Sequence, residues 1–161
     1  MTQETRFGEG DMFPDFALER FDGAAVRRAD LLGRPAVLFF YPKDGTAGCT
    51  GEARDFSALK CCFDEADVAV LGVSRDSPAT HRAFISKHAL TVPLASDLGD
   101  PKLSDTLGIW TRKSLYGRTF TGMVRTTYLL GASGRIVRRW SRVRVAGHAA
   151  AVLAAARING S

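Results

Sequence analysis

Residues 36–52 read AVLFFYPKDGTAGCTGE, and the fold turns on this run. Its first six residues, Ala36 to Tyr41, are unbroken apolar sequence between Pro35 and Pro42, the pattern of a strand buried on both faces. A second such run, VAVLGV, occupies residues 68–73. Between the two, Phe56, Leu59, Phe63 and Ala66 recur at intervals of three and four, which predicts a helix over 52–66 with one stripe against a sheet. Strand, helix and strand in that order make a βαβ unit, whose crossover is right-handed.

Working outward, Asp76-Ser77-Pro78 is a cap followed by a first-turn proline and opens a helix running to about His88. A short strand is expected at 92–95. Asp100-Pro101 opens a brief helix through Leu107, and residues 109–122 leave room for a hairpin. Residues 126–130 and 135–140, joined by Gly131-Ala132-Ser133-Gly134, read as a β-hairpin, and the alanine-rich stretch 146–158 reads as a closing helix. This order is what a thioredoxin-like α/β fold produces, a central mixed sheet flanked by helices, although pattern alone leaves other α/β folds open. No repeat or long linker divides residues 1–161, so a single domain is expected.

A chain of 161 residues is about one domain long and buries roughly 70% of its unfolded surface, enough for a core without metal or disulfide staples. Its 45% hydrophobic and 24% charged residues exclude the disordered and fibrous classes. No run approaches the ~18 to 20 apolar residues of a membrane span, and the start, MTQETRFGEGDMFPDF, lacks a basic segment followed by an apolar stretch, so a cytoplasmic protein is expected. The net charge of +5 attracts anions only mildly. Arg135, Arg138, Arg139, Arg142 and Arg144 could line a nucleic-acid surface, but charges along a sheet edge also discourage edge-to-edge pairing, and Trp140 is the only aromatic among them. Nucleic acid is not expected as a partner.

Three cysteines without a secretion signal argue for a reactive thiol rather than a disulfide framework. His81, His88 and His148 are scattered and no metal-ligand spacing occurs, so each histidine reads as a packing or surface residue and no cofactor or metal is expected. The chemistry gathers at residues 42–52, where a buried strand gives way to a helix. A helix start offers unpaired N–H groups and the positive end of the macrodipole, so Cys49 is expected to have a lowered pKa. That alone makes no fast enzyme. A thiol near its ordinary pKa is already about 3% ionised at pH 7, so full ionisation gains only about thirtyfold, and other groups must stabilise charge in the transition state. Thr46 has a hydroxyl able to donate and accept near the sulfur, and Pro42 can cover the site without adding a donor.

These residues resemble a family. Phe40-Tyr41-Pro42-Lys43-Asp44 followed by Thr46-x-Gly48-Cys49-Thr50 is similar to the peroxiredoxin signature Pro-x-x-x-Thr-x-x-Cys, in the form typical of the bacterioferritin comigratory (Q-type) branch. The likeness extends over roughly residues 7–157, through Val70 to Ser74, Ser77 to Phe84 with His81, Leu107 to Trp110, Gly122 to Thr127 and Gly147-His148. The resemblance implies a thiol-dependent peroxidase that reduces hydrogen peroxide and organic hydroperoxides without metal, haem or flavin. Cys49 would match the peroxidatic cysteine that becomes a sulfenic acid, Thr46 the residue that orients the peroxide, and Arg125 the distant arginine that stabilises both thiolate and departing oxygen. Glu52, one turn after Cys49, could hold that arginine or simply answer the helix dipole.

The chain departs from the pattern in its second cysteine. Many members of the branch carry a resolving cysteine five positions after the first; here that residue is Arg54, and the other family location, within residues 79–88, holds none. Cys61 and Cys62 remain. In an intact helix they would lie roughly 18 to 20 Å from Cys49, against the ~7 Å between Cα atoms that a disulfide tolerates. Cys62 flanks the apolar stripe and reads as core, Cys61 as exposed. The expected resolving group is therefore an outside thiol from thioredoxin, glutaredoxin or a low-molecular-weight thiol, with a role for Cys61 or Cys62 after partial unfolding or across a dimer as the alternative. The protein is expected as monomer or homodimer. A competing reading is a peroxide sensor that relays oxidation with little turnover.

Overall fold

The computed structural model describes residues 7–159. Its centre is the strand read from the opening run, β3 (Ala36–Phe40), every residue of which is buried. The sequence places eight more strands: β1 (Ala17–Arg20), β2 (Ala25–Arg27), β4 (Ala69–Ser74), β5 (Leu94–Ser96), β6 (Trp110–Leu115), β7 (Arg118–Met123), β8 (Thr126–Leu130) and β9 (Ile136–Ser141). Seven of these nine strands, β3 included, form one mixed sheet in the order β2-β1-β5-β4-β3-β8-β9, and β6 and β7 pair as a separate hairpin. β3 runs parallel to β4 and antiparallel to β8. The helices are α1 (Ala47–Ala58), α2 (Lys60–Glu65), α3 (Pro78–His88), α4 (Leu103–Thr106) and α5 (His148–Asn159).

Alternate residues of β3 enter different cores, as a period of two dictates. Val37, Phe39 and Tyr41 pack with Ala53 and Phe56 of α1, Phe63 of α2, Phe84 of α3 and Val152 of α5. Ala36, Leu38 and Phe40 pack with Phe13, Leu103, Leu107, Ile109 and Met123 on the other face. Gly72 of β4 is forced by the first core. A Cβ there would come within 2.6 Å of Phe39 Cζ and 2.7 Å of Leu94 Cδ2, and the Phe39 ring lies flat on Phe56 with centroids 4.4 Å apart.

Most expected elements appear, including the 109–122 hairpin, the 126–140 hairpin and the Ser77-capped α3, whose cap side chain accepts from the Thr80 amide. One expectation needs correction. The single helix over 52–66 begins earlier, at Ala47, and breaks at Leu59 into α1 and α2. The cause is tertiary. Ser57 spends its side chain and carbonyl on Thr91 and Val92: its Oγ accepts from both amides and its carbonyl from the Thr91 hydroxyl, which diverts the helical ladder at that point. The structure adds a short β1–β2 hairpin, whose strands carry no strong apolar run.

The arginine cluster follows β9, which is an edge strand. Arg135 and Arg139 donate to the carbonyls of Gly10 and Phe7, so the N-terminal segment lies along that edge, and Arg138 stacks 4.8 Å from the Trp140 ring centroid. Arg135 and Arg139 are thus engaged along the edge, while Arg138, Arg142 and Arg144 are exposed. No helix among the described residues is long and apolar enough to cross a membrane.

Candidate active site

Three elements converge at the C-terminal end of β3. The loop after it carries Pro42, Lys43, Asp44, Gly45 and Thr46; Thr46 is the N-cap of α1, and Cys49 stands in the first turn of that helix. The antiparallel pairing of Phe40 with Thr126 brings the start of β8 to the same place, which delivers Arg125, the preceding residue. The result joins groups 76 positions apart in sequence. Arg125 Nη2 donates to Cys49 Sγ at 3.3 Å and its Nη1 donates to Glu52 Oε1 at 2.7 Å.

Burial makes this triad unusual. Cys49 and Glu52 are each 1% exposed, while the guanidinium is partly open to solvent. A buried carboxylate needs pairing, and only half of Glu52 has it: Oε2 has no hydrogen-bond partner among the described residues. Burial pushes the Glu52 carboxyl up to about 7, against the opposing pull of Arg125. The two readings of Glu52 are thereby separated, since it grips the arginine. Gly48 leaves the space the guanidinium uses. A Cβ there would lie 3.2 Å from Arg125 Nη2.

Other residues build the surroundings. Thr46 is exposed, and its hydroxyl donates to the Lys43 carbonyl at 3.0 Å, so its lone pairs rather than its proton face a ligand. Pro42 is half-buried beside it. The β6–β7 hairpin brings Lys113 into the same field: partial burial and the nearby Arg125 push its ammonium down, while Cys49 pulls the other way. The hairpin base is fixed by Arg75, which lies 3.6 Å from the Trp110 ring centroid and donates to Ser104 and Asp105. His148 of α5 closes the far side. It bonds to Thr127 at 2.8 Å, and burial, helped by Arg125, pushes it down to about 4, so it is neutral there.

The structure thus brings Cys49, Arg125, Thr46 and Pro42 to one locus, together with Glu52. Sequence reasoning quotes Asp44 and Gly48 within the motif without giving them a role, and reads His81 as a packing or surface residue; in the structure His81 is fully buried and also hydrogen-bonded. The signal available was proximity in sequence: both Asp44 and Gly48 lie inside the motif. All three cysteines are free thiols, Cys61 exposed and Cys62 partly packed against the core.

Residues 10–139 match the AhpC/TSA family. Among similar curated proteins, Peroxiredoxin Bcp of Xanthomonas campestris is 47% identical over 123 residues, 76% of each chain, and that of Bacillus subtilis is 38% identical over 89% of this chain and 91% of its own. Among solved structures, Xanthomonas campestris peroxiredoxin Q superimposes with a TM-score of 0.84 at 39% identity, covering 98% of both chains. A bacterioferritin comigratory protein from the same organism, studied for alkyl peroxide reduction, gives 0.82 at 41% identity over 89% of this chain and 90% of its own. These relatives favour turnover over a sensing relay. The chain has the thioredoxin-like fold and belongs to the AhpC/TSA family, within it to the Q-type peroxiredoxins, enzymes that reduce peroxides at the expense of thiols.

Proposed function

We propose that Cys49 is the residue that reacts with peroxide and that Arg125, Thr46 and Pro42 complete its site. One observation carries this reading: the bifurcated Arg125 guanidinium, 3.3 Å from the Cys49 sulfur and 2.7 Å from Glu52. A thiolate is the nucleophile, and a fixed, permanently charged fork beside it also faces the oxygen on which charge develops as the O–O bond breaks. Thr46 accepts a hydrogen bond from the peroxide O–H, since its own proton is engaged, and Pro42 shields the sulfur from water. In the step itself, the thiolate attacks the terminal oxygen of R–O–OH; an S–O bond forms, the O–O bond breaks, and RO⁻ takes a proton to leave as an alcohol, or as water from hydrogen peroxide. Cys49 is left as sulfenic acid.

Return to the thiol needs two external thiols. The first condenses with the sulfenic acid to a mixed disulfide and water, and the second releases Cys49 while forming an external disulfide. Thioredoxin, glutaredoxin or a small thiol fits this role, in the reducing cytoplasm and with the single-domain chain acting as monomer or homodimer. Cys61, exposed on α2, or the partly buried Cys62 is the alternative, acting after partial unfolding or across a dimer. Alkyl hydroperoxides, reduced by the Xanthomonas campestris relative, are the organic substrates to try first.

The test is intact mass after one equivalent of peroxide. The parent should gain one oxygen at Cys49, whereas Cys49→Ser should gain none and consume peroxide at least about a thousandfold more slowly. Undiminished consumption by Cys49→Ser overturns the assignment. Loss of two hydrogens instead of gain of oxygen places resolution inside the chain.

A further inference from the structure

The loop that carries Thr46 is anchored from beneath by a polar cluster the peroxide step does not itself use. Tyr41 donates its hydroxyl to Asp44 Oδ1 at 2.6 Å, and His81 Nδ1 lies 2.6 Å from Asp44 Oδ2. The imidazole is 0% exposed, and its Nε2 is 3.0 Å from the Ala95 carbonyl of β5. A carbonyl only accepts, so Nε2 carries a hydrogen. That fixes the proton count on the other side of the ring. Either Nδ1 also carries a proton and donates to the carboxylate, or Asp44 is protonated and donates to Nδ1. In both arrangements one proton joins α3 to the loop, because a bare nitrogen lone pair facing a carboxylate at 2.6 Å would repel.

The remaining groups around the pair reinforce it. Burial, with Asp44 beside it, pushes the Tyr41 phenol well above its usual range, so it stays a neutral donor. The other carboxylate facing the cluster is Asp76, from the β4–α3 connection; its Oδ2 accepts from the Asp44 amide at 2.9 Å and from the Ser74 hydroxyl at 2.6 Å. Asp44 is therefore held by main chain and side chain together. Its neighbours Lys43, Gly45 and Thr46 are exposed, which makes Asp44 the buried anchor of the loop. The next link is covalent: the carbonyl of Lys43, bonded directly to the Asp44 amide nitrogen, accepts the Thr46 hydroxyl proton and so fixes which way the lone pairs of that oxygen point.

We propose that His81 is a positioning residue for the peroxidase, acting through Asp44 and the Lys43 carbonyl to aim the Thr46 hydroxyl at the incoming peroxide. It touches neither sulfur nor substrate. The inference rests on the reading of Cys49 and Thr46 given above, and it makes a distinction that reading does not: the anchor governs reception of peroxide, while the reactivity of the sulfur belongs to the Arg125 side of the site. A misplacement of about 1 Å in such a group costs on the order of a hundredfold in rate.

Two rates at Cys49 separate the roles: oxidation by hydrogen peroxide, and alkylation by iodoacetamide, which makes no demand on Thr46, both followed by mass at the Cys49 peptide. His81→Phe should slow oxidation by about ten- to a hundredfold and leave alkylation within about twofold. His81→Asn, whose side-chain amide can still donate to Asp44, should recover most of the loss. A strongly downfield proton shared between His81 Nδ1 and Asp44 should be present in the NMR spectrum of the parent and absent in Asp44→Ala, whichever of the two groups carries it. If His81→Phe does not fold, Tyr41→Phe, which removes only the hydroxyl, should slow oxidation by about three- to tenfold with alkylation unchanged. Unchanged oxidation in the variant that folds overturns the proposal, as does an equal fall in both rates, or an Asn variant as slow as the Phe variant. None of these outcomes bears on whether Cys49 is the reacting residue, which Cys49→Ser decides separately.

Discussion

β3 has charged side chains at both of its ends, and they are organised in opposite ways. Near its N-terminal end, Arg20, Arg34, Lys60, Asp30 and Asp64 are among the residues lining a cavity of about 530 Å³. There each cation has a carboxylate of its own in or near solvent: Arg20 with Asp22, Arg34 with Asp67 at 3.2 Å, Lys60 with Asp64. Pairs of that kind are worth roughly 0 to 1 kcal/mol, because water and salt screen them. At the C-terminal end one guanidinium serves a sulfur and a carboxylate that are both out of water. A cavity marks the first end and electrostatics the second, and it is the second that can do chemistry, since a charge held in a fixed and largely desolvated setting acts more strongly on a reacting atom.

The sharpest way to break the contrast is to remove its shared cation. Arg125→Met should lower the rate of Cys49 oxidation by about 10² to 10³-fold, measured by rapid mixing with hydrogen peroxide. A loss under tenfold would mean that the guanidinium is only a packing feature. Gly48→Ala tests the same geometry more gently. The added methyl meets Arg125 Nη2 at 3.2 Å, and an arginine bonded at both ends has little freedom to yield. A fall of about tenfold in the same assay is expected, with the fold intact.

The buried carboxyl predicts a dependence of stability on pH. Glu52 has its folded pKa raised to about 7 from 4.5, so it ionises less readily in the fold than in the unfolded chain. Its contribution is fully favourable below the unfolded value and is lost as pH rises through about 7. His148 works in the opposite sense. Its folded pKa is lowered to about 4 from 6.5, so its contribution is full above 6.5 and is lost as pH falls toward 4. In the parent the two slopes offset each other over the shared range. Glu52→Gln should expose the His148 slope alone. By thermal denaturation at about pH 5 and about pH 8, the variant should compare more favourably with the parent at the higher pH, by a few kcal/mol at most. An identical pH profile for the two proteins would contradict the burial of Glu52. The smallest effect belongs to the other end of β3: Lys60→Ala should change stability by no more than about 0.5 kcal/mol in a denaturant titration and leave peroxide reduction untouched.

What could be read along the chain was whatever local pattern determines. Apolar runs gave β3 and β4, periodicity gave the helices on the main core, turn chemistry gave the last hairpin, and the spacing of Pro42, Thr46 and Cys49 marked the reacting loop, because motif residues within one turn of each other need no long-range information. The break at Leu59 was not readable, since a hydrogen bond from Thr91 causes it. Nor was the anchoring of Asp44 by His81, 37 residues away. Arg125 was recognised only through the family resemblance; its contact with Cys49 exists because β8 pairs with β3 in one register, and a slip of a single residue would turn it to the other side of the sheet. Sequence determined which groups this protein has to work with, and tertiary pairing alone decided which of them are dry, adjacent and aimed at the same sulfur, because burial and distance are properties of the packed chain.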